Sequence, residues 1–354
     1  MQKAPSVFDI MARVAEIRQI VNTPSSQVYM MTFDNCEEIA ELAKPGQFVL
    51  IWPEPESILH ILGRPFCIAF SHHSKGQIEI IFKVVGWGTN ELAQKKPGDL
   101  LKIRGPLGNG WQINSDVTDV LLVAGGTGIA ALTGLIDACR QSDNIRTVHI
   151  FIGARTADEL VLPTKIAKFR HIDLYLATED GSEGFHGLVT DALKALLYNN
   201  PLQEPQIFAA GPRPMLKAVA EIARQNGIPG QVSMESQMAC GVGACMGCAT
   251  AVYDQESPMG WTYGRVCKDG PVFPIGKIVW RWEKMRMKMA KKTNMELFIE
   301  LVKNITGCTV KYDEASRVVT IEHSSLISEE KILKALHEKS GLMKEDYTLL
   351  PDKN

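Results

Sequence analysis

The first third of the chain alternates between short apolar runs and turns that contain Gly, Pro or Asn. The clearest runs are Phe48–Trp52, Ile78–Val85 and Leu100–Ile103. Many short strands separated by frequent turn signals are typical of an antiparallel barrel or sandwich. The pattern therefore predicts a β-barrel domain over residues 1–115.

A different pattern begins near residue 117. Short, continuous apolar runs recur, and helical segments such as Val189–Leu197 lie between them. The runs are Val120–Ala124, Val148–Ile152, Leu174–Ala177 and Gln206–Ala210. Strands that are apolar throughout are covered on both faces. Their alternation with helices predicts a doubly wound parallel α/β sheet over residues 116–230.

The last third of the chain is less regular. Residues 231–283 hold a cysteine-rich loop and are expected to contain little regular structure. Residues 284–354 are expected to form a small α/β unit, with helix Met295–Ile305, a strand pair around Asp313–Ser316 and helix Glu329–Lys339. The basic, methionine-rich run Lys284–Lys292 is interpreted as the solvated face of a helix. A docking surface for an acidic partner is the alternative.

Composition narrows the class of protein. The chain has 354 residues, 45% hydrophobic and 22% charged, as expected of two or three globular domains. A formal net charge of −2 gives no support for a nucleic-acid partner. No apolar run approaches about eighteen residues and no signal-peptide pattern opens the chain, so we expect neither a membrane span nor export. Eight cysteines in such a chain favour reduced thiols and a metal site in the cytoplasm.

Four of these cysteines carry the strongest chemical signal. Cys240, Cys245, Cys248 and Cys267 are separated by four, two and eighteen residues. This is plant-ferredoxin-like spacing for four thiolates that hold a 2Fe–2S cluster. Glycines at 241, 243 and 247 suit a loop that wraps a cluster closely. Zinc and ordinary buried thiols are the alternatives, although zinc more often takes paired Cys-x2-Cys or mixed Cys/His ligands.

Two segments of the predicted barrel resemble the flavin-binding signature of the ferredoxin–NADP reductase superfamily. The first is Gly63–Ile68, for which the resemblance implies that Arg64 pairs with the FAD pyrophosphate and that Pro65, Phe66 and Cys67 line the isoalloxazine. The second is Lys83–Asn90, a strand end and Gly-x-Gly-Thr turn that opens a short helix and suits an anion. Its candidate FAD contacts are Lys83, Val84, Gly88 and Thr89. Gly105–Gly110 is similar to the barrel-closing loop of that superfamily.

Two glycine turns in the predicted sheet resemble the nicotinamide-binding loops of the same superfamily. One is Gly125–Gly128, whose residues Gly125, Gly126, Thr127 and Gly128 bring backbone close to a dinucleotide. Ala131 stands where the superfamily has Pro, which should loosen the start of the following helix. The other is Ala210–Leu216, in which Gly211 and Pro212 are placed where the nicotinamide reaches the flavin.

Residues 7–280 together resemble the electron-transfer subunit of two-subunit dihydroorotate dehydrogenase. Glu235–Cys248 is similar to its cluster loop, and Val266–Phe273 to its closing segment. The resemblance implies a subunit of an oxidoreductase that uses NAD(H), FAD and a 2Fe–2S cluster, with a partner subunit that holds FMN and oxidises dihydroorotate in pyrimidine biosynthesis. Similar subunits serve sulfite reductases, hydrogenases and transhydrogenases, so another acceptor is the alternative.

Departures from that family qualify this interpretation. Cys67 stands where the family usually has Ser or Thr, and a thiol is the weaker hydrogen-bond donor to a flavin. The tail from residue 284 lies outside the resemblance and favours a different or additional partner. A metal-binding interaction module with a degenerate nucleotide site is a third hypothesis.

The resemblance to the reductase superfamily implies that the choice of nicotinamide depends on the residues that follow the second and third strands of the sheet. These read Gly153–Thr156 and Thr178–Ser182. Glu179 and Asp180 would repel the 2′-phosphate of NADP, and Asp180 could bind a ribose hydroxyl. Arg155 is ambiguous because it could pair with the pyrophosphate instead. The sequence therefore favours NAD(H), with a solvated turn as the alternative for Glu179 and Asp180.

Overall fold

The computed structural model describes residues 7–54, 62–162, 172–258, 260–280, 282–289, 299, 308–313, 318–324 and 347–350. The chain forms two compact units. The first runs to Thr250 and takes in Gly264–Gly276, and the second contains Ala251–Tyr263 and the residues from Lys277 onward. Among the described residues, no helix is both long enough and apolar enough to cross a membrane.

The first unit opens with a closed, six-stranded antiparallel barrel, as the short apolar runs predict. Its strands are β1 Phe8–Thr23, β2 Ser26–Asp34, β3 Phe48–Trp52, β4 Arg64–His72, β5 Gln77–Lys83 and β6 Leu100–Leu107. They pair in the order β1-β2-β5-β4-β3-β6 and close on β1. Two short helices, α1 Glu37–Leu42 and α2 Trp87–Ala93, bridge strands. Phe33, Ile78 and Ile103 are fully buried inside the barrel.

The predicted doubly wound sheet follows the barrel. Its strands are β7 Asp119–Gly125, β8 Thr147–Ala154, β9 Ile172–Thr178, β10 Phe185–His186, β11 Pro205–Ala210, β12 Gly230–Ser233 and β15 Val272–Pro274. They lie in the order β10-β9-β8-β7-β11-β12-β15, parallel except for the antiparallel edge strand β15. The described helices are α3 Thr133–Arg140, α4 Val189–Asn199 and α5 Arg213–Asn226. Strand β7 is buried along Val120–Ala124, as its continuous apolar pattern requires.

The barrel and the sheet share one hydrophobic core. Val28 and Ile81 of the barrel belong to the same buried cluster as Leu122 and Ile129 of the sheet domain. The Thr133 hydroxyl also donates a hydrogen bond to the carbonyl of Ala69 in β4. A close-packed interior leaves its elements little room to move. The barrel and the sheet are therefore held in a fixed arrangement around the space between them.

Residues 231–283 contain more regular structure than expected, so that prediction was wrong. The end of β12, the edge strand β15 and the pair β13 Ala249–Tyr253 and β14 Trp261–Arg265 all lie there. These strands are three to five residues long, which is too short for a periodic pattern to stand out among glycines and prolines.

The second unit contains an antiparallel sheet in the order β17-β18-β16-β19. The strands are β16 Trp282–Met289, β17 Cys308–Asp313, β18 Val318–Ser324 and β19 Tyr347–Leu350. The strand pair predicted around Asp313–Ser316 is confirmed as β17 and β18. The predicted helices Met295–Ile305 and Glu329–Lys339 lie outside the described residues, apart from residue 299, which is helical.

The basic run that begins at Lys284 is not a helix face over its described part. Residues up to Met289 belong to β16, which pairs with both β18 and β19. The sequence Lys284-Met-Arg-Met-Lys-Met289 alternates charged and apolar residues with a period of two. That period is typical of a strand, and the composition of the run concealed it.

Candidate functional site

Two glycine turns meet at the carboxyl ends of neighbouring parallel strands. Gly125 ends β7 and Gly211 follows β11, the two strands between which the strand order reverses. A Cβ atom on Gly128 would lie 2.3 Å from the carbonyl oxygen of Ala210, and one on Gly125 would lie 2.7 Å from Cδ of Pro212. Only glycine permits this approach. In open α/β sheets, ligands bind in the crevice at such a switch point.

The first glycine turn runs into a 3-10 segment, Gly126–Ala131, and α3 begins at Thr133. Gly126 has a φ of +53° with open space where a Cβ would be, so its backbone faces the cleft rather than protein.

A cleft of about 470 Å³ opens at these turns. Of the residues predicted from sequence, Lys83, Gly125, Gly126, Thr127 and Pro212 line it. The cleft is also lined by Arg155 and Glu159, which follow β8, and by Glu179, which follows β9.

The polar residues of this cleft differ from the prediction in two respects. Asp180 is not among the lining residues, and its Oδ1 accepts hydrogen bonds from the amide and hydroxyl of Ser182. Glu159, which the sequence motifs did not indicate, is bonded to Arg155 by two hydrogen bonds of 3.1 and 2.7 Å.

A second cavity, of about 550 Å³, lies between the barrel and the sheet. The predicted residues Arg64, Pro65, Phe66, Cys67, Lys83, Thr89, Thr127, Gly128 and Gly211 line it. Lys83 and Thr127 line both this cavity and the cleft, so the two spaces adjoin. Val84 is not among the lining residues, and its amide donates to the carbonyl of Gln27.

The predicted anion-binding segment lies beside Arg64. A Cβ on Gly88 would lie 2.8 Å from Nε of Arg64, so the absence of a side chain at residue 88 makes room for the guanidinium. The Thr89 hydroxyl accepts the amides of Val85 and Gly86 at 2.9 and 3.2 Å and donates to the Gly86 carbonyl. Thr89 therefore holds the turn that leads into α2.

The opposite wall of the cavity was not predicted. It is formed by residues 233–238, which follow β12 at the same edge of the sheet as the glycine turns. Glu235 lies in this wall, and burial by the surrounding protein raises the pKa of its carboxyl. Burial also raises the pKa of the Cys67 thiol to about 12, with a smaller contribution from Glu235, so Cys67 is a neutral thiol.

The four cysteines of the predicted cluster lie together as two pairs. Cys240 hydrogen-bonds with Cys245, and Cys248 with Cys267. In the described part of the chain, no group of three or more His, Cys, Asp or Glu side chains converges on a point that could hold one metal ion. Two adjacent thiol pairs fit a binuclear cluster, in which four thiolates hold two irons.

Backbone amides in the cysteine loop point at the sulfur atoms. Ala244 N–H donates to Sγ of Cys240 at 3.3 Å and Gly247 N–H to Sγ of Cys245 at 3.4 Å. Burial opposes ionisation of Cys240, but amide hydrogen bonds from Val242, Cys245 and Ala244 lower its pKa to about 6. The loop therefore stabilises thiolate at Cys240, as iron ligation requires, whereas burial and the neighbouring Cys248 raise the pKa of Cys267 to about 12.

Strands of the barrel contact the cysteine loop and hold it in place. A Cβ on Gly241, where φ is +71°, would lie 2.6 Å from Cδ1 of Leu50 in β3. Nη1 of Arg104 in β6 donates to the carbonyl of Cys240 at 3.4 Å. On the other side, Nη1 of Arg265 donates to the carbonyl of Gly243 at 3.1 Å. These contacts fix the loop against β3, whose Phe48 also lines the cavity, and against β6 and β14.

The cysteine loop is continuous with the cavity wall. Met238 lines the cavity and lies two residues before Cys240, which limits their Cα separation to about 7 Å. Pro271, four residues after Cys267, also lines the cavity. The loop at Asn109 holds this closing segment, because its amide donates to Gly270 O at 2.7 Å and its side chain bonds Val272.

Known families and proteins resemble the chain over these same regions. A family model described as the iron-sulfur cluster binding domain of dihydroorotate dehydrogenase B matches residues 235–279. A model of the oxidoreductase NAD-binding domain matches residues 122–221.

Two curated relatives carry the name dihydroorotate dehydrogenase B (NAD(+)), electron transfer subunit. The one from Caldanaerobacter subterraneus subsp. tengcongensis is 37% identical over 263 residues, which is 74% of this chain and 95% of the relative. The one from Desulforamulus reducens is 35% identical over 277 residues, covering 77% of this chain and 98% of the relative.

A solved structure of an NADH-dependent reduced ferredoxin–NADP oxidoreductase, described in connection with flavin-based electron bifurcation, has a similar fold. It aligns with a TM-score of 0.66 and 30% identity, over 77% of this chain and 90% of its own. The barrel and the parallel sheet therefore have the arrangement of the ferredoxin–NADP reductase fold.

Proposed function

Because the chain belongs to the family of dihydroorotate dehydrogenase B electron transfer subunits, we propose that it passes electrons between NAD(H) and a catalytic partner subunit. The path runs through FAD and a 2Fe–2S cluster held by this chain. One observation carries the proposal: the nucleotide cleft, the cavity and the cysteine loop adjoin in that order within one compact unit. Lys83 and Thr127 join the first two, and Met238 and Pro271 join the last two.

FAD fits the cavity between barrel and sheet. When bound, FAD exchanges a hydride with a nicotinamide and single electrons with a one-electron carrier. Arg64, next to the side-chain-free Gly88, is placed to pair with the pyrophosphate, and Phe66 and Cys67 line the space for the isoalloxazine. Lys83 and Thr89 line the barrel side, and Thr89 also holds the turn. The predicted contact of Val84 is not supported by the lining of the cavity.

The nicotinamide dinucleotide is proposed to bind in the adjoining cleft. Gly125, Gly126, Thr127 and Gly128 would bring backbone to its pyrophosphate, and Gly211 and Pro212 would support the nicotinamide where the cleft meets the cavity. Asp180, which was expected to bind the ribose, does not line the cleft, whereas its neighbour Glu179 does. A carboxylate there favours NAD(H) over NADP(H).

Cys240, Cys245, Cys248 and Cys267 are proposed as the cluster ligands. A 2Fe–2S cluster carries one electron at a time. Cys245 is exposed, whereas Cys248 and Cys267 are buried, so one cysteine pair reaches the surface from which an electron could leave. The described thiols are free, which agrees with a cytoplasmic location.

The partner is proposed to be an FMN-containing dihydroorotate dehydrogenase subunit, which places the chain in pyrimidine biosynthesis. The name of the relatives supports this partner. A reductase subunit for a different acceptor is the second candidate. It is favoured by the fact that the Caldanaerobacter relative covers only 74% of this chain while matching 95% of itself.

The Cys248→Ser variant tests the order of the path. It should retain FAD and NADH-driven reduction of a dye that takes electrons from flavin, and it should lose reduction of the partner by at least about tenfold. Cys139→Ala, in the core far from the loop in sequence, is the control and should lose neither activity. If the partner is still reduced at the wild-type rate by Cys248→Ser, the cluster is not on the path.

A further inference from the structure

Among the described residues that follow β8, Arg155 is the one cation that lines the nucleotide cleft. Its guanidinium is paired with the carboxylate of Glu159. Nε and Nη2 donate to the two carboxylate oxygens of Glu159 at 3.1 and 2.7 Å, a two-point fork of the kind that Arg otherwise makes with a phosphate. The fork therefore occupies one edge of the guanidinium and places a carboxylate charge directly beside the donors that remain.

Glu159 is itself held in place by the barrel. The Ser25 hydroxyl, in the turn between β1 and β2, donates to Oε1 of Glu159 at 2.6 Å. The Glu159 side chain is only 10% exposed, whereas that of Arg155 is 53% exposed. Burial acts against ionisation of Glu159, but hydrogen bonds from Ser25 and Arg155 lower its pKa, so it carries a full negative charge at neutral pH.

The position of the Arg155–Glu159 pair indicates which part of a bound nucleotide it would contact. In doubly wound sheets the pyrophosphate lies at the glycine turn after the first strand, and residues near the end of the second strand contact the 2′ position of the adenosine ribose. Here Gly125 ends the first of these strands and Arg155 directly follows the second, β8. Glu179, after the third strand, lines the same cleft.

We propose that Glu159 sets the preference of this chain for NAD(H) over NADP(H) by holding the guanidinium of Arg155. This rests on the proposed function in that it names the nucleotide which the cleft selects. A 2′-phosphate carries about 1.5 to 2 negative charges. On Arg155 it would have to displace the Glu159 carboxylate or use the other edge of the guanidinium. In either case the Arg155 charge is already balanced by Glu159, and Glu179 lines the same cleft. A ribose hydroxyl, being neutral, meets no such opposition.

The test compares Glu159→Gln with wild type. Glutamine keeps the shape of the side chain and an oxygen that can accept the Ser25 hydroxyl, but it loses the charge that holds Arg155. Calorimetric titration with adenosine 2′,5′-bisphosphate and adenosine 5′-monophosphate measures the contribution of the 2′-phosphate directly. The bisphosphate should gain about tenfold in affinity relative to the monophosphate, the scale of one charged hydrogen-bonding pair. The ratio of kcat/KM for NADPH to that for NADH, with a dye as acceptor, should rise by a similar factor.

Matched variants make the result specific to the fork. Asp158→Asn removes one carboxylate at the neighbouring exposed position, which does not line the cleft, and should leave both ratios as in wild type. Ser25→Ala, which frees Glu159 without changing charge, should move the ratios in the same direction by less. Adding Arg155→Gln to Glu159→Gln should remove the gain.

Equal ratios in Glu159→Gln and Asp158→Asn would overturn the proposal, as would a gain that survives the loss of Arg155. If Glu159→Gln does not fold, wild-type ratios in Ser25→Ala would overturn it. Failure of the proposed function would give a different result, because the wild-type protein would then reduce the dye with neither NADH nor NADPH. Binding of the two adenosine nucleotides would still measure the effect of the Arg155–Glu159 pair.

Discussion

Arg64 is the side chain expected to contribute most directly to FAD binding. It lines the cavity with the side-chain-free Gly88 against its Nε, and it is the cation that the barrel motif places for a pyrophosphate. Arg64→Ala should weaken FAD binding by about 10- to 100-fold, the range for charged hydrogen bonds. FAD absorbance per protein after dialysis measures the loss. Arg224→Ala, on the exposed face of α5, is the control and should retain FAD. Unchanged FAD content in Arg64→Ala would remove Arg64 from the site.

The residues that sequence reasoning found differ in kind from those it missed. Arg64, Gly128 and Cys248 lie in local motifs, where residue type and spacing carry the chemistry. Glu159 is held in place by Ser25, which is 134 positions away in the chain, so no local pattern shows that its side chain is fixed in the cleft. Glu235 was seen only as part of the cysteine-loop resemblance, because its place in the cavity wall depends on where β12 joins the sheet.

At the scale of elements, the meeting of the two glycine turns is the tightest constraint. Gly128→Ala would place a Cβ 2.3 Å from the backbone oxygen of Ala210, which cannot move without shifting β11. Overpacking of this kind costs about 1–3 kcal/mol and should also displace the turn that the dinucleotide needs. Urea unfolding and NADH titration measure the two effects. Gly276→Ala, where a Cβ meets no atom within 4 Å, should change neither. Wild-type NADH affinity in Gly128→Ala would contradict the assignment of this turn.

Strand β8 carries a buried titratable group. His149 is 8% exposed, and burial lowers its pKa below the ordinary 6.5 despite nearby Asp173 and Asp119. The unfolded chain therefore binds a proton near pH 6.5 that the folded chain resists, so stability is present above this pH and falls as the pH drops below it. The loss is at most about 1.4 kcal/mol per pH unit. Urea midpoints at pH 7.5 and 5.5 should differ less in His149→Gln than in wild type. Exposed His186→Gln should keep the wild-type difference, and equal pH dependence in all three would contradict the prediction.

The elements themselves were predictable where burial imposes a period. Strands β7, β8 and β11 were correctly predicted because a strand buried on both faces must be apolar throughout. The barrel strands were correctly predicted because the face that points into the barrel must be apolar. Strand β16 was misjudged although its strict alternation from Lys284 to Met289 was visible, since its charge and methionine content suggested a solvated helix. The brief strands β13–β15 could not be identified, because three to five residues hold too little of any period.

At the scale of the whole molecule, the region shared with the relatives contains all three proposed sites, and an additional sheet follows it. The relatives match this chain over 263 and 277 residues, nearly their whole lengths, and the cleft, cavity and cysteine loop all precede residue 280. Strands β16–β19 lie beyond these sites in sequence. The extra sheet is therefore expected to affect the choice of partner rather than the passage of electrons from NADH.

A chain that ends at residue 283 tests this division. It should fold, retain FAD and the cluster in near-wild-type amounts, and reduce a dye with NADH at a rate within about twofold of wild type, since the hydrophobic core shared by barrel and sheet is intact. Reduction of the partner that copurifies with the full chain should fall by at least about tenfold. Reduction of the catalytic subunit from a relative that lacks the tail should not fall.

Visible absorbance measures FAD and cluster content, and the two reduction assays measure electron transfer to the dye and to the partner. Equal reduction of the native partner by both chains would show that residues 284–354 do not select it, and loss of FAD or cluster would show that the relay needs them to fold.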